Sequence, residues 1–257
     1  MPLRPVIGHV IFDLDGTIVD NSRTMARAFE EAFRASGGVG EAPLAGLISL
    51  QGRPFRTILA ELSLPAEMES VFSDLSRHYV DMSRPATGIF ELLADLKALG
   101  VTLSIASGKS RARASWVLDH FGLLPYFDRV VGSDDVANGK PAPDMLLLCI
   151  DEAGIDPAET MMIGDAEADY LAASAAGMPF ALAGWFPHAS IEDDRIFFAR
   201  SPLEVRDFVL AGPSPYPIRL EPDRHAARRR MPNHDDIGHG RNDRDNADRL
   251  NRDRTSG

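Results

Sequence analysis

The chain has 257 residues, 44 % of them apolar, with a formal net charge of −11 and a single cysteine, which allows one sizeable domain plus an insert and excludes an internal disulfide. The acidic balance argues against nucleic acid, whose phosphates attract basic surfaces, and no stretch nears the roughly 18 apolar residues that cross a membrane. No secretory leader pattern opens the chain, so a reducing, cytoplasmic setting is expected.

Residues 6–12 are apolar and β-branched, the pattern of a strand buried on both faces, and Gly16 breaks the run. Residues 22–35 follow helical spacing, with Met25, Ala28, Phe29, Ala32 and Phe33 on one face. Further helices are expected over 54–62 and 66–82. After Pro85 and Gly88 the chain alternates: helix 89–99, strand 101–106, helix 111–121, strand 129–131 and helix 143–153. It continues with strand 160–163, helix 167–176, strand 179–182, and a last strand and helix over 196–198 and 203–209. Repeated strand–helix units imply a parallel sheet with helices on both faces. The expected fold class is α/β: a Rossmann-like parallel-sheet core from residues 1–20 and 85–212, with a small α-helical cap inserted at 21–84. Hinges between the two are expected near 20–22 and 84–87. From 213 to 257 Pro, Arg, Asp, Asn and His dominate. Such a segment cannot bury enough surface to offset its ordering entropy, and a disordered tail is expected there.

In open parallel sheets, ligands sit beyond the carboxyl ends of the strands. The first expected strand runs into Asp13-Leu14-Asp15-Gly16-Thr17, the second into Ser107, and the 160–163 strand into Gly164-Asp165, with Asp169 four further on. Lys140, one of only three lysines, precedes a helix in a Gly-Lys-Pro loop. Three carboxylates in one cleft repel one another unless a hard cation joins them, and Mg2+ prefers a few carboxylates together with phosphate oxygens. A carboxylate can attack phosphorus to form an acyl phosphate, and a second acid can serve the leaving alcohol and then the attacking water. Lys140 and Ser107 suit the phosphoryl oxygens.

These residues resemble the haloacid dehalogenase superfamily. Asp13-Leu14-Asp15-Gly16-Thr17-Ile18-Val19-Asp20 is similar to its first motif, DxDGTxxD; Ser107 fits the second, Lys140 the third, and Gly164-Asp165 with Asp169 the fourth. The insert after the first motif looks like the helical cap of the phosphoglycolate phosphatase-like subfamily IA. The resemblance implies a hydrolase with Asp13 as nucleophile and metal ligand, and Asp15 as general acid/base with its backbone carbonyl on the metal. It makes Asp165 a further ligand of Mg2+, the implied cofactor. It gives Ser107 and Lys140 to phosphate, and Asp169 to orienting water or Lys140. Family dehalogenases lack an acid at the position of Asp15, so its presence favours phosphate ester hydrolysis or phosphoryl mutase chemistry.

In the expected cap, Arg53 and Arg56 within residues 51–56 are candidates for substrate specificity, and equally for a plain surface role. Lys109 reads either as a substrate contact or as a solvated charge. Ser107 reads as cap of the following helix as well as phosphate ligand. Met25, Phe29 and Phe33 read as cap core, and Cys149 as packing. The expected partner is a small phosphorylated metabolite, with neither nucleic acid nor membrane, acting on a monomer or homodimer. Stretches at 64–69, 107–110, 122–125 and 132–136 resemble phosphatases of 3-amino-5-hydroxybenzoic acid biosynthesis in ansamycin antibiotic clusters. That resemblance implies a sugar phosphate or similar ester. Phosphoglycolate hydrolysis and a β-phosphoglucomutase-like phosphoryl transfer stay open as alternatives.

Overall fold

The computed structural model describes residues 7–186, 191 and 196–211. The expected tail at 213–257 and the first residue of the expected first strand lie outside these residues.

The first apolar run forms β1 (His9–Phe12), and all four of its residues are buried. A two-residue strand, β2 (Val19–Asp20), leads into α1 (Ser22–Ala35), α2 (Leu44–Ser49), α3 (Phe55–Glu61) and α4 (Met68–His78). A 3-10 turn, Val80–Met82, and β3 (Arg84–Pro85) close this stretch. Helix α5 (Ile89–Ala98), β4 (Thr102–Ala106), α6 (Arg111–His120) and β5 (Arg129–Val131) follow. The chain then forms α7 (Asp144–Ala153), β6 (Thr160–Gly164), α8 (Glu167–Ala176), β7 (Phe180–Ala183), β8 (Phe197–Ala199) and α9 (Pro202–Ala211).

Six strands make one sheet in the order β5-β4-β1-β6-β7-β8, and every pairing in it is parallel. The α/β reading holds. Strand β1 lies inside the sheet, with Phe12 opposite Ile105 of β4 and Ile163 of β6. Alternation along β1 sends Val10 and Phe12 into an apolar cluster with α5 and α6, and Ile11 into one with α7 and α8. His9 is buried in the sheet, where its Nε2 meets Ser104 Oγ at 2.8 Å. Burial pulls its pKa down to about 4 against the opposing charge of Asp128, so the imidazole is neutral. Among the described residues, no helix is long and apolar enough to cross a membrane.

Helices α1 to α4 bury an apolar cluster of their own, built on Ala28, Phe29, Ala32, Leu47, Ile58, Leu59, Met68 and Phe72. Met25 and Phe33 pack against its edge. This stretch leaves and rejoins the sheet-bearing part through β2 and β3, which pair antiparallel. Arg84 Nη2 lies 3.2 Å from Asp20 Oδ2 across that pair. The two stretches where hinges are expected each overlap one strand of this small ribbon. Helix α2 was not expected, because its six residues are too few for a periodic signal. The expected helix over 66–82 instead splits into α4 and the 3-10 turn.

Phe29 is fully buried, and its ring meets those of Phe55 and Phe72 edge-on at 6.4 and 6.5 Å. Truncating it removes the centre of the helical cluster. Phe29→Ala should lower unfolding free energy by about 3–5 kcal/mol, measured by urea denaturation. A loss below about 1 kcal/mol would show that this cluster is not packed as described.

Candidate active site

The end of β1 delivers Asp13, which is 2 % exposed and whose N–H continues the ladder to Ile163 O at 2.8 Å. The chain then turns tightly. Ile18 and Val19 donate to Leu14 O, and Gly16 donates to Val19 O. Trp185 Nε1 clips the turn by donating to Thr17 O at 2.9 Å. Gly16 has φ +78°, and a Cβ on it would lie 2.1 Å from Asp165 Oδ2. Only glycine allows this loop to pass over the Asp165 carboxylate.

Asp165 and Asp169 arrive from the end of β6 and the first turn of α8. Asp169 Oδ2 accepts from Ala166 N at 3.1 Å, an ordinary helix-start contact. Its Oδ1 accepts from Lys140 Nζ at 2.6 Å. Lys140, whose side chain is wholly buried, also donates to Asp13 Oδ1 at 2.6 Å and to Ala106 O at 2.9 Å. All three ammonium protons are thus engaged. Burial alone would lower the Lys140 pKa, but Asp13 and Asp169 raise it, so the ammonium stays charged.

Burial pushes Asp13 up to about 7 against the pull of Lys140, with Asp169 and Asp15 adding repulsion. Burial, then Asp13 and Asp169, push Asp165 well above the usual carboxylate range, against Lys140 and Thr17. One lysine does not neutralise this group. Ligand atoms of Asp13, Asp165 and Asp169 lie within 4.8 Å of one another and could hold a metal ion. Asp169 is largely committed to Lys140 and Ala166. Asp165 accepts one hydrogen bond, from Thr17 Oγ1 at 3.2 Å, and keeps lone pairs for a cation. A hard divalent ion between Asp13 and Asp165 fits both the donor set and its unbalanced charge.

Ser107 follows β4, is 1 % exposed, and its Oγ accepts from Lys109 N at 3.2 Å. It does not cap α6: Ser110 does, accepting from Arg113 N at 3.4 Å. Asp15 lies between Asn21, which donates to Oδ1 at 2.7 Å, and Lys109, whose ammonium contacts Oδ2. Asp13 and Asp15 both open onto a cavity of about 440 Å3. Its other walls come from α1 to α4 and from α6.

Residues 52–54 seat the helical stretch on the strand ends. A Cβ on Gly108 would meet Arg53 O at 2.7 Å, and one on Gly139 would meet Pro54 at 2.5 Å. Arg53 lines the cavity and pairs with Glu61 at 2.7 Å. Arg56 does not line it: its largely exposed side chain pairs with Glu69 at 2.8 Å. Of the expected site residues, Asp13, Lys140, Asp165 and Asp169 are brought into one buried group, with Asp15 beside it, and Ser107 is buried next in the chain to Ala106, whose carbonyl accepts from Lys140. Sequence reasoning missed the contact of Asn21 with Asp15 and the place of Arg113 in the cavity wall. Asn21 read as hinge, and Arg113 as one arginine among several on a helix. Its one signal was a position just past the strand that ends in Ser107.

Comparisons with known proteins give the family and the fold. The model of the family described as haloacid dehalogenase-like hydrolase matches residues 10–183. The chain is 38 % identical over 191 residues to "Probable phosphatase IndB" of Dickeya dadantii, covering 70 % of this chain and 83 % of the relative. It is 28 % identical over 209 residues to phosphoglycolate phosphatase of Aquifex aeolicus, covering 80 % and 92 %. The fold matches a hydrolase structure from Pseudomonas syringae with a TM-score of 0.68 at 24 % identity, covering 78 % and 96 %.

The buried charges predict a pH-dependent stability effect. Lys140→Met leaves Asp13 and Asp169 without their cation and pushes the already raised Asp13 pKa further up. A carboxyl whose folded pKa is raised destabilises the fold progressively as pH climbs from the unfolded pKa to the folded one, and costs little below the unfolded value. With chelator present, Lys140→Met should lose about 3–5 kcal/mol at pH 8 and distinctly less at pH 4.5. Urea unfolding at the two pH values measures it, and equal losses would contradict the charge balance drawn here.

Proposed function

The chain belongs to the haloacid dehalogenase-like hydrolase family and is a phosphoric monoester hydrolase, and on that premise we propose that Asp13 is its nucleophile. The substrate is a small phosphate monoester, a sugar phosphate or similar metabolite. The observation that carries this reading is the buried contact of Lys140 with both Asp13 and Asp169, at strand ends that face the cavity. Lys140 fixes one Asp13 oxygen, leaving the other to attack phosphorus and form an aspartyl phosphate. Ser107 holds phosphoryl oxygens, and Lys140, whose three protons go to Asp13, Asp169 and Ala106 O, joins it by exchanging one of those contacts. Asp15, on the cavity side, gives a proton to the departing alcohol and takes one from the water that cleaves the acyl phosphate. Asp169 keeps Lys140 oriented. The Asp13 and Asp165 carboxylates, with the Asp15 carbonyl, would hold Mg2+, which neutralises charge on the transferring phosphoryl group.

The helical stretch at 21–84 acts as a cap: its separate apolar cluster and the β2–β3 ribbon support motion as a unit. Closure brings residues 52–54 onto the strand ends and excludes water. Arg53 belongs to the specificity surface, whereas Arg56 acts only through Glu69. The single, buried cysteine supports a reducing, cytoplasmic setting. Resemblance at 107–110 and 122–125 supports a place in secondary-metabolite biosynthesis. The likeness to phosphoglycolate phosphatases supports phosphoglycolate as a second substrate to test.

Asp13→Asn, folded by circular dichroism, should lose at least about 10^3-fold in kcat toward para-nitrophenyl phosphate. Retained turnover would remove Asp13 as nucleophile. Chelation should abolish wild-type turnover, and added Mg2+ should restore it. Acid quenching with labelled ester should trap phosphate on the wild-type chain and not on Asp13→Asn. A phosphoenzyme that resists water yet transfers to a sugar phosphate would replace the hydrolase with a mutase.

A further inference from the structure

The cavity above Asp13 and Asp15 has two unlike walls. The helical stretch supplies Met25, Leu47, Phe55, Ile58 and Phe72. Phe55 and Phe72 stack with ring centroids 4.0 Å apart and planes at 14°, a flat apolar surface. The opposite wall carries Asp15, Lys109 and Arg113.

Of the three cations that line this space, two are matched to carboxylates among the described residues. Lys109 contacts Asp15, Arg53 pairs with Glu61, and Arg56 pairs with Glu69. Arg113 has no such partner: among the described residues, none accepts a hydrogen bond from its guanidinium. Its guanidinium carbon lies 5.8 Å from the centre of the Phe72 ring. Of the acids whose charge acts on Arg113, Asp15 is engaged by Lys109 and Asn21 and Glu69 by Arg56, while Asp74 is exposed and makes no hydrogen bond to it. Burial lowers the Arg113 pKa, with Arg77 adding to it and Asp15, Glu69 and Asp74 opposing it.

A half-buried guanidinium without an acceptor is costly, and a planar anion presented to its fork recovers that cost. A neutral hydroxyl recovers less, and an ammonium on the substrate would be repelled. We propose that Arg113 sets substrate specificity by pairing with a second anionic group, a carboxylate or phosphate, at the end of the substrate remote from the scissile phosphoryl group. The carbon body between the two anions lies on the Phe55–Phe72 surface. This rests on the hydrolase reading above and narrows its substrates to esters with two anionic ends.

Three compounds on one carbon skeleton test it: glucose 6-phosphate, 6-phosphogluconate and glucose 1,6-bisphosphate. The wild type should favour at least one doubly anionic ester over glucose 6-phosphate by about 10- to 100-fold in kcat/KM, the range of a charge-assisted hydrogen bond. The two anionic arms separate carboxylate from phosphate. Arg113→Met should collapse that ratio mainly through KM, and Arg113→Lys should keep part of it. Should Arg113→Met fail to fold, Arg113→Gln takes its place. Calorimetric binding of the same compounds to Asp13→Asn, with and without Arg113→Met, gives a readout that needs no turnover. Anion preference in binding that depends on Arg113, without any hydrolysis, would sustain the inference and sink the hydrolase reading. Hydrolysis with no anion preference, or with a preference that Arg113→Met leaves intact, would overturn the inference and spare the hydrolase.

Discussion

One ammonium group organises the site. Lys140 Nζ sits in a wholly buried position and gives its three protons to Asp13, Asp169 and the carbonyl of Ala106. Those acceptors come from the ends of three chain segments: the end of β1, the first turn of α8 and the end of β4. A buried charge tolerates little displacement, because an unpaired partner carries its full desolvation cost. Lys140 therefore fixes the relative height of the strand ends as much as it fixes chemistry. The ammonium does not complete the balance, since burial and the neighbouring carboxylates hold both Asp13 and Asp165 above their ordinary pKa values in spite of it.

The fold supplies the rest by simple placement. A parallel sheet points all its carboxyl ends to one side, so Asp13, Ser107 and Asp165 converge without any special loop. The helical stretch leaves from the residues just after Asp15 and returns through a strand paired to its own exit. Both chain crossings thus lie next to the acid at the cavity floor. Asn21, at the mouth of that crossing, bonds to Asp15. The element that covers the cavity is in this way tied directly to a group in it.

Most of the sheet was legible because parallel strands are buried on both faces and read as short apolar runs between helical periods. The strands at 129–131 and the helix at 167–176 match to the residue. The charged group was legible too, since Asp13, Asp165, Asp169 and Lys140 follow strands or precede helices. What escaped depends on distance across the structure. Ser107 and Ser110 are equally plausible caps by residue type, and only the geometry assigns the role to Ser110. Lys109 was left open between solvent and site, because its partner Asp15 is 94 positions away. Arg53 and Arg56 looked alike, yet Arg53, in the turn before α3, lines the cavity, while Arg56, on α3, is largely exposed. Arg113 carried no pattern of its own, because what distinguishes it is a missing partner.

That missing partner matters because the chain as a whole is acidic. A net charge of −11 opposes the approach of a dianion, although at physiological salt this field fades within about 8 Å. Attraction must then come from charges within reach of the ligand. Lys140 and Lys109 are already spent on carboxylates of the site itself. A cation between Asp13 and Asp165 would serve the phosphoryl end alone. Of the described charges on the cavity wall, the Arg113 guanidinium is left with capacity for something that arrives from outside. It stands on a helix of the core and faces an aromatic surface on the helical stretch. A ligand that bridges the two would therefore hold the covering helices in place while the chemistry proceeds.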